Sequence, residues 1–427
     1  MPPSLLRACP ATQTLLLDIP STLSAPPGLA PRSTHKPLAA PHALADPKQQ
    51  TPFTQSLSAL HARLLPTLTA ALADLHANYT GPYHRPRSTD SPPPAHSELD
   101  FHACTPLLQP SLPDDHQEGI ALTLTAPTVL ADISDIHAIP ITNASDSWLT
   151  LTLTHPSPPK LFHLPPRASF LLSRFQASAA TFSAFTAAAA GGRFDFALLD
   201  PPWPNRSAAR SNAYATLSRF NIHELLQLPL GTALAPGALV GVWITNKPRY
   251  RAFVVERLFA RWGVEEAGEW VWVKVTSAGE PVVALEAAMR KPYEVLVFGR
   301  KPGSGRRGRE GKRVKLGVEE EEVGVGVGVG RVPGRTIVAV PDLHSRKPGV
   351  KELVEPYLPE NYRACEIFGR NLTEGWFTWG DEAIKFNWDG HWKPEAENTA
   401  TAATATATAT ATAPAENGDG GDEMTDE

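Results

Sequence analysis

At 427 residues and 42% hydrophobic, the chain is long and apolar enough for a full α/β core with an accessory region beside it. Its three cysteines, Cys9, Cys104 and Cys365, have neither metal-site nor disulfide spacing, so a reducing compartment is the default. A net charge of −5 does not by itself point to a nucleic-acid partner; no apolar run approaches the roughly 18 residues of a membrane span, and Met1 to Pro20 lacks the form of a signal peptide. Residues 1 to about 50 are rich in Pro, Ala and Ser without periodicity and are expected to be disordered or loosely packed. Leu57 to Leu75 spaces Leu, Ala and His as a helix does, after Thr54 and Ser56 as candidate caps. Beyond a Pro/Ser/His stretch from Tyr83 to Pro94, Ile120 to Thr125 and Trp148 to Thr154 alternate apolar with polar residues and read as half-buried strands. The scattered histidines here read as surface or capping residues, with no metal site implied.

From about Pro165 the pattern is that of an α/β core. The apolar run Phe194 to Leu199 leads straight into Asp200-Pro201-Pro202-Trp203. An exocyclic amine such as N6 of adenine is a poor nucleophile because its lone pair is delocalised into the ring. A carboxylate (Asp200) and a main-chain carbonyl (Pro201) that each accept one amine hydrogen favour a pyramidal nitrogen aimed at an electrophilic methyl. Two prolines, Pro201 and Pro202, stiffen the loop and add no competing N–H. Trp203 offers a flat face for base stacking, worth about 1–3 kcal/mol. The competing reading is a strand entering a Pro-rich turn, with Asp200 opening the turn and Trp203 in the core. A helix over Asn221–Gln227, a strand over Leu239–Thr245, a helix over Tyr250–Trp262 and a strand over Trp270–Val275 follow in α/β alternation. Lys247, Arg249 and Arg251 cluster where open α/β sheets bind ligands, as phosphate contacts or as a solvated helix start. Between 301 and 333 lies an insertion with a basic half, an acidic run and Gly-Val alternation, either a nuclear-localisation or nucleic-acid segment or a solvated loop. Thr336 to Val340 returns to strand, Arg363 to Phe368 is a strand carrying Glu366, and a Thr-Ala tail after Glu395 is expected to be disordered.

Asp200-Pro-Pro-Trp203, Arg210-Ser-Asn-Ala-Tyr214, Val242-Trp-Ile-Thr-Asn246, Glu269-Trp-Val-Trp-Val-Lys274, Lys291-Pro-Tyr-Glu294, Leu343-His-Ser-Arg-Lys-Pro348 and Glu366-Ile-Phe-Gly-Arg-Asn371 occur in this order. The series resembles the MT-A70 family of adenine-N6 methyltransferases, most of all the branch called methyltransferase-like protein four, over roughly Pro165 to Phe386. The resemblance implies a Rossmann-like, permuted beta-class domain using S-adenosyl-L-methionine. That domain is expected over 161–393 with the low-complexity insertion at 301–333, while the patterning outside it reads as a partly disordered N-terminal α+β accessory region over 1–160 and a disordered Thr/Ala-rich acidic tail over 394–427. The resemblance places Lys347 at the cofactor carboxylate, Glu366 and Arg370 at its ribose with Asn371 beside them, and Ser173 near its adenine. Arg174 replaces an acidic residue of related members, so the adenine contact falls to Ser173 or to main-chain groups. Asp200 serves both amine and cofactor. Trp203, Arg206, Arg210, Tyr214 and Lys247 face the nucleic acid, and a core role for Tyr214 stands beside that one. The substrate implied is RNA, such as adenosine or 2′-O-methyladenosine of a small nuclear RNA, or single-stranded DNA, in the nucleus or alternatively the cytoplasm or mitochondria. No metal, membrane or obligatory protein partner is implied. The alternatives are a catalytically inactive RNA-binding scaffold subunit and a protein whose N-terminal region is an interaction module.

Overall fold

In the computed structural model the run Phe194–Leu199 is a strand in which every residue but Asp195 is buried, on both faces, as in a central parallel strand. The structure describes residues 4–33, 36–42, 53–87, 101, 121–188, 192–204, 220–287, 291–303, 330–343 and 346–395. Numbered along the chain, β1 (Leu5–Cys9), β2 (Thr14–Leu17) and β3 (Leu29–Pro31) precede a long helix, α1 (Phe53–Asn78). Next come β4 (Leu122–Leu124), β5 (Thr128–Leu130), β6 (Pro140–Asn143), β7 (Leu149–Leu153), β8 (Lys160–Leu164), β9 (Ser169–Leu172) and the helix α2 (Phe175–Ala188). The remaining strands are β10 (Phe194–Leu199), β11 (Leu234–Ile244), β12 (Glu265–Lys274), β13 (Tyr293–Arg300), β14 (Arg335–Ala339), β15 (Ala364–Ile367), β16 (Phe377–Gly380) and β17 (Trp392–Pro394).

Twelve of these strands make one sheet in the order β1-β2-β14-β12-β13-β11-β10-β15-β16-β9-β6-β4. From β2 to β9 the strands share one direction except β13, which runs against both its neighbours. The C-terminal ends of β10, β11, β12, β14 and β15 therefore lie along one rim, and the start of the reversed β13 joins them there. One face is covered by α1, α2 and a helix from Pro248 to Trp262 whose middle, Phe253–Phe259, is π-wound. Leu60, Leu64, Leu68, Leu72 and Leu75 recur every three or four residues along α1, which puts them on one stripe against the sheet. The other face packs Trp243, Trp270, Trp272 and Phe298 under Val350, Leu353 and Val354.

Two expectations change. Residues 1 to 50 are not uniformly loose, because β1 and β2 form a hairpin that extends the central sheet, β2 pairing with β14 and burying Leu16 and Leu17. Pro10 sits in the turn between them, where its missing N–H costs no ladder bond. A domain boundary at 160 is absent as well: β4 and β6 continue the same sheet beyond β9, and Met1–Pro394 is one compact unit. The expected strands at 120–125 and 148–154 are β4 and β7, and the expected helix lies within α1. Most of the 301–333 insertion and the tail after Glu395 lie outside the described residues.

Candidate active site

Strand β10 delivers Asp200 to the rim, where its N–H donates to the Ile367 carbonyl at 3.3 Å. The two prolines then force a turn in which the Trp203 N–H donates to the Pro201 carbonyl at 2.8 Å. One lone pair of that carbonyl is thereby used and one remains. Trp203 is only 6% exposed; its Nε1–H donates to the Trp243 carbonyl at 2.7 Å and its ring stacks on Tyr250 at 4.7 Å and 26°. The Pro204 carbonyl accepts the Tyr250 hydroxyl at 2.8 Å and the Lys247 ammonium at 3.3 Å, and Arg249 donates to the Tyr250 oxygen at 2.9 Å. Lys247 is thus turned onto the catalytic loop, where the sequence reading had it at the substrate. Trp203 is likewise a fixed, largely covered ring.

Behind Asp200 runs a chain of alternating charge. Lys347 Nζ stands 3.0 Å from Asp200 Oδ2 and 3.2 Å from Glu294 Oε2, and Lys274 Nζ stands 2.5 Å from Glu294 Oε1. Lys274 ends β12, Glu294 is the second residue of the reversed β13, Asp200 follows β10 and Lys347 lies in the loop after β14, so the sheet topology brings the elements that carry these four side chains to one rim. Burial acts to raise Glu294, but Lys347 and Lys274 outweigh it and hold the carboxyl down at about 2. Burial acts to lower Lys347, and Asp200 and Glu294 overcome it, keeping the ammonium charged well above its ordinary range. Burial, with Glu294 adding, lifts Asp200 above the usual carboxylate range against the pull of Lys347. Glu366 pairs in register with Leu198, two residues short of Asp200; burial, helped by the Asp200 charge, pushes it up to about 8.

A cavity of about 380 Å³ opens on this rim, lined by Asp200, Lys347, Glu366, Arg370 and Asn371 together with Ser21–Ser24 of the N-terminal segment. Asn371 donates through Nδ2 to the Leu372 carbonyl at 3.0 Å, while its Oδ1 is buried without a partner. Arg370 Nε pairs with Glu382 at 2.8 Å, which ties the loop after β15 to the one after β16. Phe368 takes a left-handed φ of 67°, a conformation costing roughly 1–3 kcal/mol that turns the chain sharply after Glu366. A Cβ on Gly369 would stand 2.7 Å from Thr378 Cγ2 and 3.1 Å from Glu366 Cδ, so glycine leaves the room in which Glu366 lies.

Of the residues expected in the site, the structure therefore brings Asp200, Lys347, Glu366, Arg370 and Asn371 to one cavity. Ser173 is elsewhere: it follows the last residue of β9, two strands along from β15, is 1% exposed, and its hydroxyl donates to the Arg174 carbonyl at 3.3 Å. Arg206, Arg210 and Tyr214 lie outside the described residues. Glu294, Lys274 and Tyr250 carried no role in the sequence reading. Charged residues at the ends of otherwise buried strands were the available sign for the first two. Among the described residues no cluster of His, Cys, Asp and Glu could hold a metal ion, and no helix is long and apolar enough to cross a membrane.

A mostly parallel sheet, with an acid and a Pro-Pro-Trp loop at the end of its central strand and a ligand-sized cavity on the same rim, defines a Rossmann-like methyltransferase. The MT-A70 family profile matches residues 194–382, and the chain is 30% identical over 376 residues to the N6-methyladenosine RNA methyltransferase MTA1 of Pyricularia oryzae, covering 87% of this chain and 82% of that protein. The chain belongs to the MT-A70 family, a family of S-adenosylmethionine-dependent methyltransferases. It is also 39% identical over 249 residues to the N6-methyladenosine RNA methyltransferase MTA1 of Cryphonectria parasitica (56% of this chain, 65% of that one). Its identity to the mouse N(6)-adenine-specific methyltransferase METTL4 is 36% over 225 residues (52% and 43%). The chain thus spans less than two thirds of the Cryphonectria and mouse proteins.

Proposed function

We propose that the protein transfers a methyl group from S-adenosylmethionine to the N6 amine of adenine in RNA. The observation that carries this reading is the position of Asp200: at the end of the central strand, lining the cavity, with Oδ2 taken by Lys347 and Oδ1 not used in that pair. Oδ1 and the second lone pair of the Pro201 carbonyl are two acceptors for the two N6 hydrogens, and two such bonds draw the nitrogen toward a pyramid with its lone pair outward.

The cavity fits the cofactor. Its volume of about 380 Å³ lies in the range of roughly 300–1,000 Å³ that small-molecule sites occupy. Two of the three Lys347 hydrogens are used internally, and the third suits a carboxylate. The two oxygens of Glu366 suit a ribose diol, and the unpartnered Asn371 Oδ1 suits a donor such as an amine or hydroxyl. When bound, S-adenosylmethionine supplies an electrophilic methyl on a sulfonium. Glu366, held neutral by burial near pH 7, adds no second negative charge beside Asp200. The methylated amine is acidic enough to lose its proton to water, so no strong base is needed. RNA is preferred as the substrate class because the 376-residue match and the 39% identical match are both to proteins named RNA methyltransferases.

The test uses the purified full chain, isotope-labelled S-adenosylmethionine, and matched oligonucleotides: RNA with adenosine, RNA with 2′-O-methyladenosine, and single-stranded DNA. Label on adenine N6 that disappears in Asp200→Ala, with cofactor binding retained, is the expected result. Label on DNA alone would move the substrate class. Cofactor binding without label on any of the three would favour a scaffold role.

A further inference from the structure

The loop that carries Lys347 is fixed by residues outside the segment matched by the family profile. Arg87, buried, donates to the carbonyls of Pro341 and, at 2.7 Å, Val340, and faces Asp342 at 3.9 Å. Asp342 is buried too and pairs with Arg346, whose guanidinium lies 4.8 Å over the Phe386 ring and lines the cavity next to Lys347. At the far end of the same loop, the Gly349 N–H donates to Thr22 Oγ1 at 2.8 Å. That approach is close: a Cβ on Gly349 would stand 2.5 Å from the Thr22 carbonyl. Two residues on, Ser24 Oγ accepts the Glu374 N–H at 3.2 Å on the opposite cavity wall. The segment Ser21–Ser24 is therefore wedged between the Lys347 loop and the loop after β15.

Stability alone does not account for the charged cluster. It holds Arg87, Arg346 and Asp342, with the buried Asp18 also acting on Arg87, and Arg87 Nε, Arg346 Nε and Asp342 Oδ1 are buried without hydrogen-bond partners. A well-packed apolar plug would hold the loop at least as firmly; what buried, directional charge adds is a defined register. The residue whose register matters is the next one along, Lys347, and its ammonium must meet Asp200, Glu294 and the cavity at once.

We propose that Arg87 and Thr22 are positioning residues of the cofactor site, Arg87 through Asp342 and Arg346 and Thr22 through Gly349, so that the N-terminal region is part of the S-adenosylmethionine site. The inference rests on the methyltransferase reading above. Its test compares the full-length protein with Arg87→Gln and Thr22→Val. Arg32→Gln serves as control, since Arg32 ties the same region to the Trp392 carbonyl at 2.9 Å and does not line the cavity. Calorimetry reads cofactor affinity, steady-state kinetics read KM for cofactor and for oligonucleotide separately, and urea unfolding reads stability. The expected result is a rise of about tenfold in Kd and KM for S-adenosylmethionine in both variants, with oligonucleotide KM unchanged and the control at wild-type affinity. Wild-type cofactor affinity in Thr22→Val and Arg87→Gln, or an equal loss in Arg32→Gln, overturns the assignment. If Arg87→Gln fails to fold, Thr22→Val decides alone. A wild-type protein that binds no S-adenosylmethionine overturns the methyltransferase reading and this inference with it, a result separable from the first.

Discussion

Replacing Glu366 with glutamine is expected to stabilise the ligand-free protein while weakening its hold on the cofactor. Burial, with the charge of Asp200 adding, moves this carboxyl from an ordinary 4.5 up to about 8. Between those two values the folded state keeps a proton that the unfolded chain has released, so stability falls as pH rises, by about 1.4 kcal/mol per unit. The penalty is small at pH 5, reaches about 4 kcal/mol at pH 7.5 and levels off above pH 8. Glutamine has nearly the same shape and no charge to bury, and escapes the penalty; its extra amide donor returns about 1 kcal/mol if it finds no partner. Urea unfolding of both proteins at pH 5 and pH 7.5 should therefore show the variant gaining about 3 kcal/mol relative to wild type between the two pH values. A stability difference that is flat with pH, or that shrinks as pH rises, refutes the reasoning. Calorimetry on the same samples should show weaker cofactor binding, since one charge-capable acceptor has become a donor.

Lys347→Met leaves Asp200 and Glu294 facing each other without their shared cation. With these side chains about a fifth exposed, at 17%, 25% and 18%, the loss expected in urea unfolding at pH 7.5 is about 2–3 kcal/mol, below that of a fully buried pair; an unchanged midpoint would show the chain of charges to be idle. Gly369→Ala pushes a methyl to 2.7 Å from Thr378 Cγ2 and 3.1 Å from Glu366 Cδ, and should cost about 1–3 kcal/mol together with cofactor affinity, whereas wild-type affinity would mean that Glu366 is not held there. Tyr250→Phe keeps the ring beneath Trp203 and removes only the hydroxyl that donates to the Pro204 carbonyl and accepts from Arg249. It should cost about 1 kcal/mol and raise KM for the oligonucleotide, with KM for S-adenosylmethionine unmoved; the reverse pattern would place Tyr250 in the other half of the site.

What was legible in the chain depended on how local its cause is. The run from Phe194 to Leu199 is a strand because it is apolar on both faces, and the acid and prolines after it stop the strand wherever the sheet lies. Strand β13 escaped because Tyr293 to Arg300 lacks alternation, being buried on both faces, and stands beside an insertion of biased composition. The hairpin of β1 and β2 escaped for the opposite reason: Leu5–Leu17 is set among Pro and Ala, and only the distant β14 makes it a strand. In the site, Asp200 and Glu366 were readable as acids at strand ends, and Lys347 through the family resemblance. Glu294 and Lys274 were not, because their meaning is a pairing created by the reversal of β13. Ser173 lies off the cavity for a related reason, since a motif reports order along the chain and the sheet puts β16 between β9 and β15.

The reversal of β13 also decides where this protein can grow. Because that strand starts beside the catalytic rim and runs away from it, Arg300 emerges about 20 Å from Glu294 at some 3.4 Å per residue. There Arg300 Nε donates to the Gly330 carbonyl at 2.9 Å, clasping together the two ends of the segment from 304 to 329. With its stems already joined, lengthening that segment adds only about 0.6 kcal/mol per doubling. This corner can therefore receive a reporter domain or an affinity handle, and homologous chains can differ in length at it, with the chemistry at the other end of the strand left undisturbed.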